Sequence, residues 1–287
     1  MRYEAPETVN AAVKMLAGAK GVSRVLAGGT DLLVQMRSGM IEPDLVVDIK
    51  HIPEMHKISF DKGGIRVGAA ISGAELAESA RFAKTWPGVL EAFELIGSTQ
   101  IQGRCTMVGN LCNASPAADA VPALIAAGAK VKVAGPKGRR DVLVEKIPAG
   151  PGKTSLKKGE IITSVFFPKH PPKTGDAYLR FIPRTEMDIA VVGAGVCLTL
   201  NRGGTVTDAR VALGAVAPTA RLVPAAAKAL IGSKLEDEAL AEAAAAASAA
   251  CKPINDKRGT IEYRTKVAGV MTRRAAQIAY DRARGTK

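Results

Sequence analysis

At 287 residues and 47% hydrophobic content, the chain can build its own core as one large domain or two ordinary ones, without disulfide or metal staples. Its net charge of +13 comes from basic residues spread along the sequence, and aromatics make up only 4%, which excludes the interleaved basic and aromatic platform of a single-strand nucleic-acid binder. No apolar run reaches the roughly eighteen residues of a membrane span, and the opening Met-Arg-Tyr-Glu-Ala-Pro is no signal peptide, so a cytoplasmic protein is expected.

In chain order, Thr8 is expected to cap a short amphipathic helix with Val9, Ala12, Val13 and Leu16 on one face. Gly18 and Gly21 end it ahead of a β-leaning segment, Val25, Leu26 and Ala27. Then come Gly28, Gly29, Thr30 and Asp31. Two glycines without Cβ let consecutive backbone N–H groups point into one concavity, a nest suited to a pyrophosphate, with the Thr30 hydroxyl at the rim. A plain tight turn is the structural alternative. A helix over 31–35 and a buried strand over 44–49 complete a first lobe, residues 1–55.

The second lobe, 56–175, begins with a strand near Ile65. Ser72 and Glu75 read as a capping box. Helices are expected over 87–97 and 120–128, a loop over 106–119, and strands over 130–134 and 161–167. Gly150 to Ser155 imitates a phosphate loop, but Ile147 stands where the first glycine is required. The proline-rich stretch 169–175 marks the domain boundary. Beyond it, strands over 189–200 and 207–216 form an antiparallel hairpin through Asn201-Arg-Gly-Gly204. Gly193-Ala-Gly195 within it imitates a dinucleotide fingerprint, but Leu198 replaces the third glycine. Ser233 to Glu236 should cap an alanine-rich helix through Ala250, and a basic helix should run from Thr260 to the end. Cys105, Cys112, Cys197 and Cys251 lack C-x-x-C spacing and nearby histidines, so reduced structural thiols are expected and no metal site.

Several ordered motifs together carry a resemblance. These are Arg24-Val-Leu-Ala-Gly-Gly-Thr-Asp31, Thr106-Met-Val-Gly109-Asn110 with Asp119 nine residues on, Arg184-Thr-Glu-Met-Asp188-Ile189, and the closing Glu262-Tyr-Arg-Thr-Lys. Over essentially its whole length the chain resembles the FAD-binding medium subunits of the molybdenum hydroxylases, the family of xanthine dehydrogenase and aerobic carbon monoxide dehydrogenase. The resemblance implies an α+β fold: a two-lobed PCMH-type FAD-binding domain over 1–175, then a smaller α+β domain over 176–287 with an antiparallel sheet and helices. It implies noncovalent FAD, since His51, His56 and His170 lie outside the motifs. Arg24, Val25 and Leu26 would belong to the cofactor site, and the loop of Ala27, Gly28, Gly29, Thr30 and Asp31 would take its pyrophosphate, with the backbone N–H groups of Gly28, Gly29 and Thr30 as donors. Thr106, Val108, Gly109 and Asn110 would lie around the pyrophosphate and ribityl chain.

By the same resemblance Asp119 would accept from cofactor hydroxyls, a helix N-cap being its structural alternative. Ile162 and Ile189 would pack at the ring, and Arg180 would lie near the ring's pyrimidine side, a surface charge being its alternative. Arg184, Glu186 and Asp188 would belong to a loop flanking the flavin. No hydrolytic set of nucleophile, base and orienter is present. The implied partners are a large subunit with the molybdenum cofactor, a small subunit with iron–sulfur clusters, and an external electron acceptor, assembled as a dimer of heterotrimers. The rival readings are a stand-alone FAD oxidoreductase with its own substrate pocket and a basic nucleic-acid-binding or scaffold protein.

Overall fold

The computed structural model describes residues 1–184 and 187–285; Thr185, Glu186, Thr286 and Lys287 lie outside the described residues. The first lobe comprises β1 (Arg2–Glu4), α1 (Val9–Gly18), β2 (Ser23–Leu26), α2 (Leu32–Arg37) and β3 (Leu45–Asp48). Its three strands are parallel in the order β1-β3-β2, and β3 is buried throughout, as the central strand of a covered parallel sheet must be. The Thr8 hydroxyl accepts from the Ala11 N–H at 3.2 Å, and Val9, Ala12, Val13 and Leu16 are buried.

The second lobe begins with β4 (Ile58–Phe60) and β5 (Gly64–Gly68). A helical run follows: α3 (Gly73–Ala77), α4 (Ala80–Thr85), α5 (Pro87–Glu94), α6 (Thr99–Gln102), α7 (Met107–Asn113) and α8 (Ala120–Ala126). Then come β6 (Lys130–Gly135), β7 (Gly138–Leu143), the small hairpin of β8 (Pro148–Gly150) and β9 (Lys153–Thr154), and β10 (Ile161–Pro168). The main sheet is antiparallel, ordered β4-β5-β10-β6-β7. The capping box at α3 is present in both directions, Ser72 to Glu75 and back. The expected 106–119 loop needs correction, because its first half is the helix α7. Thr106 caps it by accepting the Gly109 N–H at 2.9 Å, Met107, Val108 and Leu111 bury one face, and Ala114 ends it with φ 53°. Glycine and asparagine inside the segment masked that helical period.

The C-terminal part is a four-stranded antiparallel sheet ordered β11 (Thr174–Phe181), β12 (Val192–Leu200), β13 (Val206–Gly214) and β14 (Arg221–Leu222), followed by α9 (Pro224–Leu230), α10 (Asp237–Ala249) and α11 (Ile261–Arg284). The hairpin of β12 and β13 matches the expected antiparallel pair, whereas β11 falls partly in the stretch read as linker. Ser233 is not the cap of α10. Its hydroxyl serves Leu230 and Leu235 instead, and Asp237 and Glu238 supply the favourable negative charge in the helix's first turn. The imitation fingerprint has a packing explanation. A Cβ on Gly195 would stand 2.8 Å from the Pro122 carbonyl, so the bare backbone lets β12 lie directly on α8. Among the described residues, no helix is long and apolar enough to cross a membrane.

The C-terminal sheet is also tied to the second lobe through Asp176 of β11. The Asp176 carboxylate accepts the Val89 N–H in the first turn of α5 at 3.0 Å, while its carbonyl accepts from Arg282 of α11 at 2.8 Å. Its Oδ1 is buried with no hydrogen-bond partner among the described residues. Burial therefore outweighs the donors and pushes its pKa up to about 7. A folded-state value above the unfolded one, about 3.9, means that stability from this group is full at low pH and is lost as pH rises through 7. Asp176→Asn keeps the acceptor and removes the charge. The variant is expected to gain on the parent by on the order of 2 kcal/mol between pH 5 and pH 8. Urea unfolding at the two pH values tests this, and a difference that does not change with pH refutes it.

Candidate functional site

The turn after β2 is held from below by a polar cluster. Lys50 Nζ donates to the Ala27 carbonyl at 3.2 Å and to Asp48 Oδ2 at 2.7 Å, and the Tyr3 hydroxyl donates to the same oxygen at 2.6 Å. Burial alone would raise the Asp48 pKa, but these donors outweigh it and hold the carboxyl below its ordinary range. From that anchor the backbone runs through Gly28 to Gly29, where φ is +77°, a left-handed conformation that disfavours side chains. The Gly29 carbonyl accepts from the Leu33 N–H at 3.0 Å, which launches α2. The N–H groups of Gly28, Gly29 and Thr30 donate to no described residue. Three adjacent free N–H groups at a helix entry are donors of the kind that an anion-binding nest requires.

Gly28 has a second role. A Cβ there would lie 1.7 Å from the Arg104 carbonyl oxygen, so the bare backbone lets the first lobe close against the second. Gln35 Nε2 of α2 donates to Asn113 Oδ1 of α7 at 3.0 Å and bridges the same junction. Between the lobes lies a cleft of about 700 Å³, within the range of cofactor-sized sites. Its floor and walls include Thr106, Val108, Gly109 and Asn110 around α7, and Ile161 and Ile162 from β10. The Asn110 Oδ1 accepts the Ala120 N–H at 3.2 Å, so this side chain also caps α8.

The expected residues divide into two groups. Arg24, Val25, Ala27, Gly28, Gly29, Thr30, Asp31, Thr106, Val108, Gly109, Asn110 and Ile162 all line the cleft. Leu26, Asp119, Arg180 and Ile189 are not in its lining. Leu26 packs beneath Gly29. Ile189 is 51% exposed in the loop before β12, not in the strand expected from its sequence. Asp119 has no capping hydrogen bond. Instead its Oδ2 accepts from Arg180 Nη1 at 3.0 Å and its Oδ1 from the Tyr178 hydroxyl at 3.2 Å. The Arg180 side chain is only 4% exposed, so it is no surface charge. The same nitrogen of Arg180 donates to the Leu95 carbonyl at 2.8 Å. Burial raises the Asp119 pKa to about 6 despite Arg180 and Tyr178.

The pair thus stands behind the cleft wall. Leu95 precedes the lining residue Ile96, and Asp119 precedes the Ala120 held by Asn110. Arg184 donates to Asp188 at 3.2 Å, which also accepts from Arg258 at 3.2 Å; this cluster, of which only Arg184 is well exposed, is likewise outside the lining.

Sequence reading missed Lys50, Gln35, Asn113, Ile96 and the 156–158 segment. Gln35 had a local signal, one helical turn from Asp31; the others reach the site only through packing. The four cysteines are free, and burial pushes the thiols of Cys105 and Cys251 up to about 11 and Cys112 to about 12, so none is a ready nucleophile.

Comparison with known proteins adds to this geometry. Residues 1–170 match the family model described as the FAD binding domain in molybdopterin dehydrogenase, and residues 177–279 match the CO dehydrogenase flavoprotein C-terminal domain. The chain is 33% identical to the carbon monoxide dehydrogenase medium chain of Hydrogenophaga pseudoflava, covering 98% of this chain and 97% of that one. It is 31% identical to a xanthine dehydrogenase FAD-binding subunit of Escherichia coli, covering 76% and 74%. Among solved structures, reconstituted CO dehydrogenase from Oligotropha carboxidovorans contains a chain that superposes with a TM-score of 0.94 at 34% identity, covering 98% of each chain. Quinoline 2-oxidoreductase from Pseudomonas putida 86 contains one with a TM-score of 0.89 at 28% identity, covering 99% and 98%.

Proposed function

The chain belongs to the FAD-binding medium subunits of the molybdenum hydroxylases, and from that membership we propose that it holds FAD noncovalently in the cleft between its two N-terminal lobes. It is the flavoprotein subunit of a multi-subunit oxidoreductase, whose large and small partner subunits carry the molybdenum cofactor and the iron–sulfur clusters. The observation that carries the proposal is the row of free N–H groups at Gly28, Gly29 and Thr30, three residues that line a cleft large enough for a dinucleotide. When bound, FAD supplies the redox chemistry that links the iron–sulfur clusters to an external acceptor.

This chain's residues bind and orient the cofactor. The nest donates to pyrophosphate oxygens. The Thr106 hydroxyl, whose oxygen already accepts from Gly109, keeps its proton for a cofactor oxygen, and the Asn110 side-chain amide retains its donors because its oxygen faces Ala120. Val108 and Ile162 supply apolar contact. Asp119 and Arg180 brace the wall from behind through Ala120 and Leu95. The further elements of the reading are a division at residue 175 into a two-lobed FAD domain (1–55 and 56–175) and a C-terminal domain (176–287), a dimer of heterotrimers, an external electron acceptor and a cytoplasmic location.

The purified chain is expected to show a flavin absorption spectrum. Acid precipitation should leave FAD in the supernatant. A colourless chain that takes up no added FAD overturns the reading, and a chromophore that stays with the pellet overturns noncovalent attachment.

A further inference from the structure

The cleft contains two cations that the cofactor reading has not used. Between β9 and β10 the chain folds into a closed turn. The Lys157 N–H donates to Glu160 Oε2 at 2.8 Å, and the Glu160 N–H donates to the Lys157 carbonyl at 2.9 Å. Arg140 Nη2 holds the same carboxylate at 2.9 Å. Gly159 takes φ +81°, and a Cβ on it would stand 2.8 Å from the Cβ of Ala17. The turn therefore leaves the second lobe and rests on α1 of the first. That placement brings Lys157 and Lys158 into the lining of the cleft shared by Gly28, Gly29 and Thr30.

Neither ammonium group has a hydrogen-bond or ion-pair partner among the described residues; Lys157 only lies in the field of Glu160. Two acids also line the cleft. Glu160 is already paired with Arg140, and Asp31 has its pKa raised by desolvation. The lysines, with Arg24, whose guanidinium donates only to the Ser23 carbonyl, are thus the unpaired cations of this lining, and the two lysines are carried on flexible stems above a backbone fixed at both ends.

We propose that Lys157 and Lys158 form the cationic half of a diphosphate subsite, so that the cleft selects a flavin carrying an ADP moiety over one that lacks it. The proposal rests on the FAD reading above and deepens it. Backbone N–H dipoles at Gly28 to Thr30 orient phosphate oxygens but carry no net charge, and Arg24 supplies one unit at most against the two of a diphosphate. A lysine ammonium supplies that charge as a mobile point, without demanding the planar geometry of arginine. Part of the affinity for FAD is then coulombic and screened by salt, whereas contacts to the ring are not.

The test uses the full chain freed of flavin and titrated with FAD and, separately, with riboflavin at two salt concentrations. Lys157→Gln with Lys158→Gln is expected to weaken FAD binding about tenfold, to leave riboflavin binding unchanged, and to flatten the salt dependence. Replacing both with arginine should restore most of the FAD affinity, since the charge returns while the turn's backbone hydrogen bonds are untouched. A parent that takes up no FAD overturns the functional reading itself. A parent that binds FAD while the double glutamine variant binds it equally well overturns the lysine assignment alone. An equal loss for riboflavin and FAD overturns it too, because it signals a damaged cleft.

Discussion

Gly28→Val should purify with less than about a tenth of the parent's FAD, an effect of at least roughly 1.4 kcal/mol. The cause is contact across the lobes, not a lost side-chain bond. The first atom of any side chain at this position would fall 1.7 Å from the Arg104 carbonyl oxygen, which is backbone and cannot swing away. The chain must either part its lobes or distort the turn that presents the free N–H groups. Overpacking of this kind costs about 1–3 kcal/mol or more. Both responses move Gly29 and Thr30 away from Thr106 and Asn110, so the cost falls on the cleft. Gly29→Val acts differently: its φ of +77° adds roughly 1–2 kcal/mol of backbone strain, and its Cβ would crowd Leu26 and Leu33 at 3.0 Å. Flavin content measured beside the far-UV circular dichroism spectrum separates site damage from unfolding. Stoichiometric FAD in the Gly28→Val protein would refute the lobe-contact argument.

Arg180→Met is expected to destabilise the fold by about 3–5 kcal/mol at pH 8, because it leaves a buried carboxylate without its cation. Arg180 and Asp119 are 4% and 11% exposed, so water is poorly placed to replace the lost partner. Arg180 also donates to Leu95, so the wall before Ile96 loosens with it. The effect has a definite pH sign. Burial already raises the Asp119 pKa to about 6 with Arg180 present, and removing the guanidinium raises it further. Below that value the carboxyl is neutral in the variant, so the loss should shrink from pH 8 toward pH 5. The double variant with Asp119→Asn should recover much of the stability at pH 8, since no buried charge then remains. Denaturant unfolding of the four proteins closes this cycle; an Arg180→Met loss that does not depend on pH would contradict it.

The legibility of the sequence followed the range of the interactions. The α1 cap and buried face, the capping box at Ser72 and the hairpin of β12 and β13 depend on neighbours within a few residues or across one turn. Each is visible as spacing in the chain. The helix α7 was hidden because glycine and asparagine obscure its period, although its Thr106 cap was available to local reading. Strand β11 was hidden for another reason. It follows a proline-rich stretch, and its Asp176 and Arg180 look polar until burial and partners 61 or more residues away explain them.

By itself, then, the sequence determined the family, the α+β class and the glycine turn, because these rest on local backbone chemistry and on motifs in order. Only the tertiary structure decided that Gly28 faces the Arg104 backbone, that Asp119 pairs with Arg180 instead of capping α8, and that Lys157 and Lys158 join the glycine turn's cleft. Those facts depend on which distant segments meet, and no spacing along the chain encodes the distance between two lobes once they close.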